Sequence, residues 1–275
     1  MEYFKLNNGV MIPKVGLGVS QIPSDVDGVA VVVNAIEAGY KAIDTAEFYG
    51  NEDMVGKGIK TSGVAREGIF VTTKVHNQAQ QTDDGPIKAF EASLKKLDLD
   101  YIDLYLIHWP YPGRFVQTYK ALESIYKRGL VKAIGISNFK QHHIQELEKH
   151  WEVKPAANQY EHHPYLTQKD VREYCQDEDI QVIAYSPLGR GSTDLLTSDI
   201  ITSLANKYAK TPAQIILRWN IDNGVAAIPK TTNIARLREN INIFDFKLEK
   251  ADIEAINSLN QGIRVIRDPD DPSSY

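Results

Sequence analysis

Cysteine is nearly absent from this chain of 275 residues. Cys175 stands alone, which excludes an intramolecular disulfide framework and any multi-cysteine metal site. Its isolation fits a reducing compartment. Long hydrophobic runs are missing too: none approaches ~18 residues, so no transmembrane helix is expected. Met1-Glu2-Tyr3-Phe4-Lys5 lacks the charged and apolar regions of a signal peptide, and a cytoplasmic protein is expected. Positive charge is not in excess, with 31 Lys and Arg against 36 Asp and Glu for a net of −5. That argues against bulk nucleic-acid binding and leaves room for a local basic pocket. No linker rich in Pro, Gly or Ser interrupts the chain, and its composition does not shift midway. What is present is an ordinary soluble balance, 43% hydrophobic and 24% charged. The length suits an α/β barrel, which runs to ~250 residues as one domain, and a single domain over 1–275 is expected.

The chain opens as a hairpin over about residues 3–12, with Asn7-Asn8-Gly9 as its turn. Eight short apolar runs follow: Val15–Gly18, Ala42–Asp44, Ile69–Lys74, Ile102–His108, Ala133–Ser137, Ala156–Gln159, Val182–Tyr185 and Ala226–Ile228. Such runs suit parallel strands buried on both faces. Helical periods separate them. Val29, Val32, Val33 and Ile36 form one stripe, ended by Gly39. Ile87, Phe90, Leu94 and Leu97 form another, opened by Pro86; Tyr119, Leu122 and Tyr126 form a third, closed by Gly129. Thr211-Pro212 opens a helix with Ile215, Ile216 and Trp219 inward. This alternation leaves an open doubly wound sheet or a closed barrel. Eight units without a break favour a (β/α)8 TIM barrel with an N-terminal β-hairpin and an irregular C-terminal tail over about 262–275.

In a parallel barrel, functional side chains come from the C-terminal ends of the strands. Six successive runs close on Asp44, Lys74, His108, Ser137 with Asn138, Gln159, and Tyr185 with Ser186. In a barrel these groups converge on one mouth. Taken singly, each has a bland alternative: an ion pair for Asp44 and Lys74, a core position for His108 or Tyr185.

Asp44-Thr45-Ala46-Glu47-Phe48-Tyr49-Gly50-Asn51-Glu52 resembles the first signature of the aldo-keto reductase superfamily. Lys74, His108-Trp109-Pro110, Ile136-Ser137-Asn138-Phe139, Asn158-Gln159-Tyr160 and Ala184-Tyr185-Ser186-Pro187-Leu188-Gly189 follow in the family's order. Ile228-Pro229-Lys230-Thr231 and Arg236, Glu239 and Asn240 complete the set, so the resemblance spans residues ~5 to ~265. The short segment after Pro110 and the Asp-Pro tail resemble the compact prokaryote-type members, including diketogluconate and methylglyoxal reductases.

The resemblance implies NADPH-dependent reduction of aldehydes or ketones by a monomer that takes a small-molecule carbonyl, binds no nucleic acid and no membrane. Tyr49 carries over as the general acid. A free tyrosine, with a pKa of ~10, is too weak an acid for neutral pH; Lys74 is expected to lower it, and Asp44 to pair with Lys74. His108 would orient the carbonyl. Ser137, Asn138 and Gln159 resemble a clamp on the nicotinamide carboxamide, and Tyr185 the ring on which nicotinamide stacks. Gly18, Ser186 and Leu188 fall among the cofactor positions. Lys230 and Arg236, near a helix that Thr232 or Asn233 caps, resemble a 2′-phosphate site, with Thr231 beside them and Glu239 and Asn240 toward the adenine. Ser20 and His76 stand where relatives commonly carry aromatic residues; with His108 and Trp109 they would line the substrate pocket. Losing two apolar walls predicts a polar substrate, such as a ketoaldehyde or a sugar-derived carbonyl.

Other features are set aside. Gly16-Leu17-Gly18 lacks the third glycine of a Rossmann fingerprint, since Gln21 takes that place. His142-His143 and His162-His163 are adjacent in sequence and do not share a helix face, so no metal site is expected. Two rival functions remain: an NADPH-binding regulatory barrel, and an aldolase or hydrolase using Lys74 as a Schiff-base amine.

Overall fold

The computed structural model describes residues 1–191, 193–271 and 273. The eight apolar runs form one parallel sheet. Two short antiparallel strands precede it: β1 (Tyr3–Lys5) and β2 (Met11–Pro13), joined by a turn in which Gly9 has φ +89°. The sheet contains β3 (Leu17–Gly18), β4 (Ala42–Asp44), β5 (Phe70–Val75), β6 (Ile102–Ile107), β7 (Val131–Ser137), β8 (Ala157–Glu161), β9 (Gln181–Tyr185) and β10 (Ala226–Ala227), each hydrogen-bonded to the next. Val15 bridges in parallel to Ala227, and Gly16 N–H donates to the Ala227 carbonyl at 3.0 Å. These contacts join the first run to the last and close the barrel.

Strand limits differ slightly from the periodicity. β5 continues through Val75 because Val75 pairs with Ile107, and β8 continues to Glu161 because Glu161 pairs with Tyr185. His108 therefore lies just past its strand. The hairpin's Leu6 and Ile12 pack in one cluster with Ala42, Phe70, Leu104 and Ala133, plugging the end of the barrel opposite the strand C-termini.

Helices α1 (Val26–Glu37), α2 (Glu52–Thr61), α3 (Gly85–Leu97), α4 (Phe115–Lys127) and α5 (Gln141–Glu148) surround the first half. α6 (Lys169–Asp177), α7 (Asp199–Tyr208), α8 (Pro212–Asp222), α9 (Ile234–Ile241) and α10 (Lys250–Asn257) complete the ring. Their ends follow local chemistry. Asp25 accepts the Gly28 N–H, Gly39 turns the chain at φ +105°, and Thr211 and Gln214 form a reciprocal capping box. Of the two cap candidates for α9, Asn233 accepts the Arg236 N–H. Cys175 is buried on α6, and burial pushes its thiol to about 12, so it is an inert packing residue. Residues 262–271 form no helix or strand; Pro272, Ser274 and Tyr275 of the expected tail lie outside the described residues. No helix among the described residues is long and apolar enough to cross a membrane.

Candidate active site at the barrel mouth

Lys74 near the end of β5 is wholly buried, and its Nζ lies 2.6 Å from Asp44 Oδ1 and 2.7 Å from the Thr45 carbonyl. The other Asp44 oxygen accepts Gln159 Nε2 at 2.6 Å. The chain leaves β4 into a single 3-10 turn, Glu47–Tyr49, which Gly50 ends in the left-handed region at φ 65°. This turn brings Tyr49 back over Lys74, whose Nζ is 5.2 Å from the ring centroid. From there the Lys74 charge acts on the phenol. His108 meets Tyr49 edge to face at 5.7 Å.

The electrostatics correct one expectation. Burial pushes the Tyr49 phenol above its ordinary pKa, and the pull of Lys74, though in the expected direction, does not overcome it. Burial also works against the Lys74 charge, but Asp44 and Tyr49 outweigh it and hold the ammonium above its usual range. His108 is driven well below the ordinary histidine value by burial, then by Lys74 and His76, so it is neutral at physiological pH. Its buried Nδ1 has no partner among the described residues.

A second group of residues borders this cluster. Ser137 Oγ donates to the Gln159 carbonyl at 2.7 Å. Asn138, at φ 64°, donates through Nδ2 to the His108 carbonyl at 2.9 Å and accepts the Tyr185 hydroxyl at 2.7 Å. Ser186 also has positive φ, 48°, and is half-buried, as is Leu188. Gly18 is buried, and a Cβ there would lie 2.9 Å from the Ile228 carbonyl oxygen, so the close approach it permits is to the last strand's own backbone.

Lys230 and Arg236 are exposed and have no acidic partner among the described residues. They flank the N-terminus of α9. Thr231 is buried, and its Oγ1 accepts the Asn233 N–H at 3.1 Å. Asn240 is buried, whereas Glu239 is tied to α8 by accepting Thr211 Oγ1 at 2.7 Å.

Ser20, His76 and Trp109 are half-buried. The residue missed from sequence is Phe48, 66% exposed, which stacks on His76 with centroids 4.6 Å apart and planes at 10°. Its position beside Tyr49 was the available signal. Phe48 thus sets an aromatic face beside His76, one of the two positions at which an aromatic residue was expected to be missing.

The helix-face argument about His142 and His143 fails. Both sit in the first turn of α5, their ring centroids are 4.0 Å apart, and their ligand atoms lie within 4.8 Å of those of Asp270. Lys140 already neutralises this cluster, at 2.6 Å from Asp268 and 2.7 Å from Asp270. His143 Nδ1 accepts the Lys140 backbone N–H, which leaves its Nε2 protonated toward Asp270 rather than free as a ligand. The cluster anchors the C-terminal segment.

Residues 14–261 match the model of the aldo/keto reductase family. The chain is 48% identical over 267 residues to glyoxal reductase of Bacillus subtilis, covering 97% of this chain and 96% of that one. It is 42% identical over 268 residues to methylglyoxal reductase DkgA of Escherichia coli K12, at 97% and 96% coverage. Among solved structures, an aldo-keto reductase from a Medee basin deep-sea metagenome library superposes with a TM-score of 0.94 at 42% identity, covering 98% of both chains. A Bombyx mori aldo-keto reductase in complex with NADP superposes with a TM-score of 0.90 at 40% identity, covering 96% of this chain and 94% of that one.

Proposed function

The chain belongs to the aldo/keto reductase family, and from that premise we propose that it reduces small polar aldehydes and ketones with NADPH, Tyr49 serving as the general acid. The observation that carries this reading is the buried Lys74 ammonium held between Asp44 and Tyr49. When bound, NADPH supplies the hydride to the carbonyl carbon. The developing alkoxide takes its proton from Tyr49, whose phenolate the Lys74 ammonium then stabilises. Neutral His108 donates an N–H that fixes the carbonyl oxygen. A Schiff-base role for Lys74 is disfavoured, because its ammonium stays charged beside Asp44.

The residues present fit the dinucleotide. Lys230 and Arg236, without an acidic partner among the described residues, stand at a helix N-terminus, a setting suited to the adenosine 2′-phosphate. Ser137, Asn138 and Gln159 offer polar groups for the carboxamide, and Tyr185 a ring for stacking. A monomer built as one domain is part of the same reading. Relatives named for glyoxal and methylglyoxal reduction support a small dicarbonyl substrate. Phe48 makes the pocket wall mixed rather than wholly polar.

The test is NADPH consumption with methylglyoxal and glyoxal. Tyr49→Phe is expected to lower turnover at least about a hundredfold while cofactor affinity holds. Retained turnover would remove Tyr49 as the acid.

A further inference from the structure

We propose that Thr45 and Asn51 are positioning residues for the reduction: the hydrogen bond between their side chains closes the loop that carries Tyr49 and fixes the carbonyl that receives Lys74. The proposal rests on Tyr49 being the acid.

The loop between β4 and α2 is buried at its ends and not in its middle. Thr45 and Asn51 are wholly buried, whereas no residue of the Glu47–Tyr49 turn between them is buried and Phe48 is 66% exposed. Thr45 Oγ1 donates to Asn51 Oδ1 at 2.8 Å across six positions of chain. That bond ties the two ends together, and Tyr49 rides on the segment it closes.

Both ends are also held from outside the loop. Thr45 N–H donates to the Thr72 carbonyl on β5 at 2.9 Å. Asn51 Nδ2 donates to the carbonyls of Val19 and Ile22, in the turn after β3, at 2.9 and 3.0 Å. An asparagine placed just before a helix ordinarily accepts an N–H of the first turn. Asn51 makes no such cap on α2, and its amide faces Thr45, Val19 and Ile22 instead.

Thr45 reaches the chemistry through its backbone. The Lys74 ammonium has three N–H groups. One goes to Asp44 Oδ1 at 2.6 Å and one to the Thr45 carbonyl at 2.7 Å. These two acceptors leave the third for the side of Tyr49, whose ring centroid is 5.2 Å from Nζ. Gln159 holds the Asp44 acceptor, and the bond to Asn51 holds the residue that supplies the other. One side-chain hydrogen bond therefore sets the phenol and the ammonium against each other. Its loss frees both, and a misplacement on the order of 1 Å at reacting groups can cost roughly a hundredfold in rate.

The test uses Thr45→Val, which removes the hydroxyl at nearly constant shape, and Thr45→Ser, which keeps it. Both are made in the full chain and assayed with methylglyoxal and NADPH. Thr45→Val is expected to lower kcat about tenfold or more while NADPH affinity stays within about twofold, and Thr45→Ser to recover kcat. On an Asn51→Ala background, Thr45→Val is expected to add no further loss, because the shared bond is already gone. In cofactor-free protein labelled with ¹³Cζ-tyrosine, the Tyr49 resonance is identified by its loss in Tyr49→Phe. It is expected to move in Thr45→Val and to return in Thr45→Ser. An unchanged kcat, an unmoved resonance, a Thr45→Ser variant as slow as Thr45→Val, or additive losses in the double variant each overturn the proposal. So does a loss of cofactor binding along with turnover, since the bond would then hold the barrel rather than the acid. If Tyr49→Phe stays active, the functional reading fails, while the resonance still reports whether the Thr45–Asn51 bond places Tyr49.

Discussion

Gln159 Nε2 donates to Asp44 Oδ2 at 2.6 Å, joining β8 to β4 across the interior from strands four places apart in the sheet. Asp44 is thus held from two sides, by Lys74 and by Gln159, and a residue expected to clamp the cofactor also stiffens the ion pair beneath Tyr49. Gln159→Leu strips a buried carboxylate oxygen of its donor. A stability loss of about 1–3 kcal/mol is expected in urea denaturation, together with reduced turnover. An unchanged midpoint would show that the bond contributes nothing.

Acid should destabilise the protein before its carboxylates titrate. Burial drives His162 to about 3, and burial followed by the His142 charge drives His143 to about 4; His108 is lowered in the same sense. All three lie below the ordinary histidine value of ~6.5 expected in the unfolded chain. The unfolded state therefore binds more protons, so the stability is fully present above about pH 6.5 and is lost as pH falls toward the folded values. Between pH 7.5 and 5.5 the expected loss is about 4 kcal/mol, about 1.4 for each of the three, with a shallower slope in His162→Asn. Chemical denaturation across that range checks it, and a flat profile would count against buried neutral histidines.

Cofactor preference tests Lys230 and Arg236. Replacing Lys230 and Arg236 by alanine together should raise the KM for NADPH at least about tenfold and leave that for NADH within about twofold. Increasing salt should weaken NADPH binding to the native chain more than to the double variant. Equal changes for the two cofactors would mean that these side chains do not hold the 2′-phosphate.

The stacked pair Phe48 and His76 gives a substrate-size prediction. Phe48→Ala removes an exposed aromatic face. It should lower kcat/KM for aromatic aldehydes about tenfold while changing glyoxal turnover by less than about threefold. Parallel losses on both substrates would mean that Phe48 supports the Tyr49 turn rather than the pocket wall.

Much of this was visible in the amino-acid order. Alternating apolar runs and amphipathic stripes specify a two-state rhythm that repeats eight times. Asp44, Lys74, His108 and Gln159 stand at the run ends because a parallel strand delivers its last residues to one rim. The cap of α9, narrowed to Thr232 or Asn233, and the turn at Asn7-Asn8-Gly9 were legible because hydrogen bonds between neighbours in sequence depend on local residue types.

Tertiary structure decided the rest, because distance and dielectric depend on partners far away in the chain. Lys74 announces an opposing charge, but only the packed barrel shows burial outweighing that charge at Tyr49. Adjacent histidines look divergent on an ideal helix, yet the first turn of α5 lets both reach Asp270. Phe48 reads as one more apolar residue until the turn after β4 lays it flat on His76. Ser20 looks like a free loop residue until Asn51, thirty-one positions on, holds its turn through the carbonyls of Val19 and Ile22. Periodicity records which face a residue presents; what that face meets is set only when the chain closes.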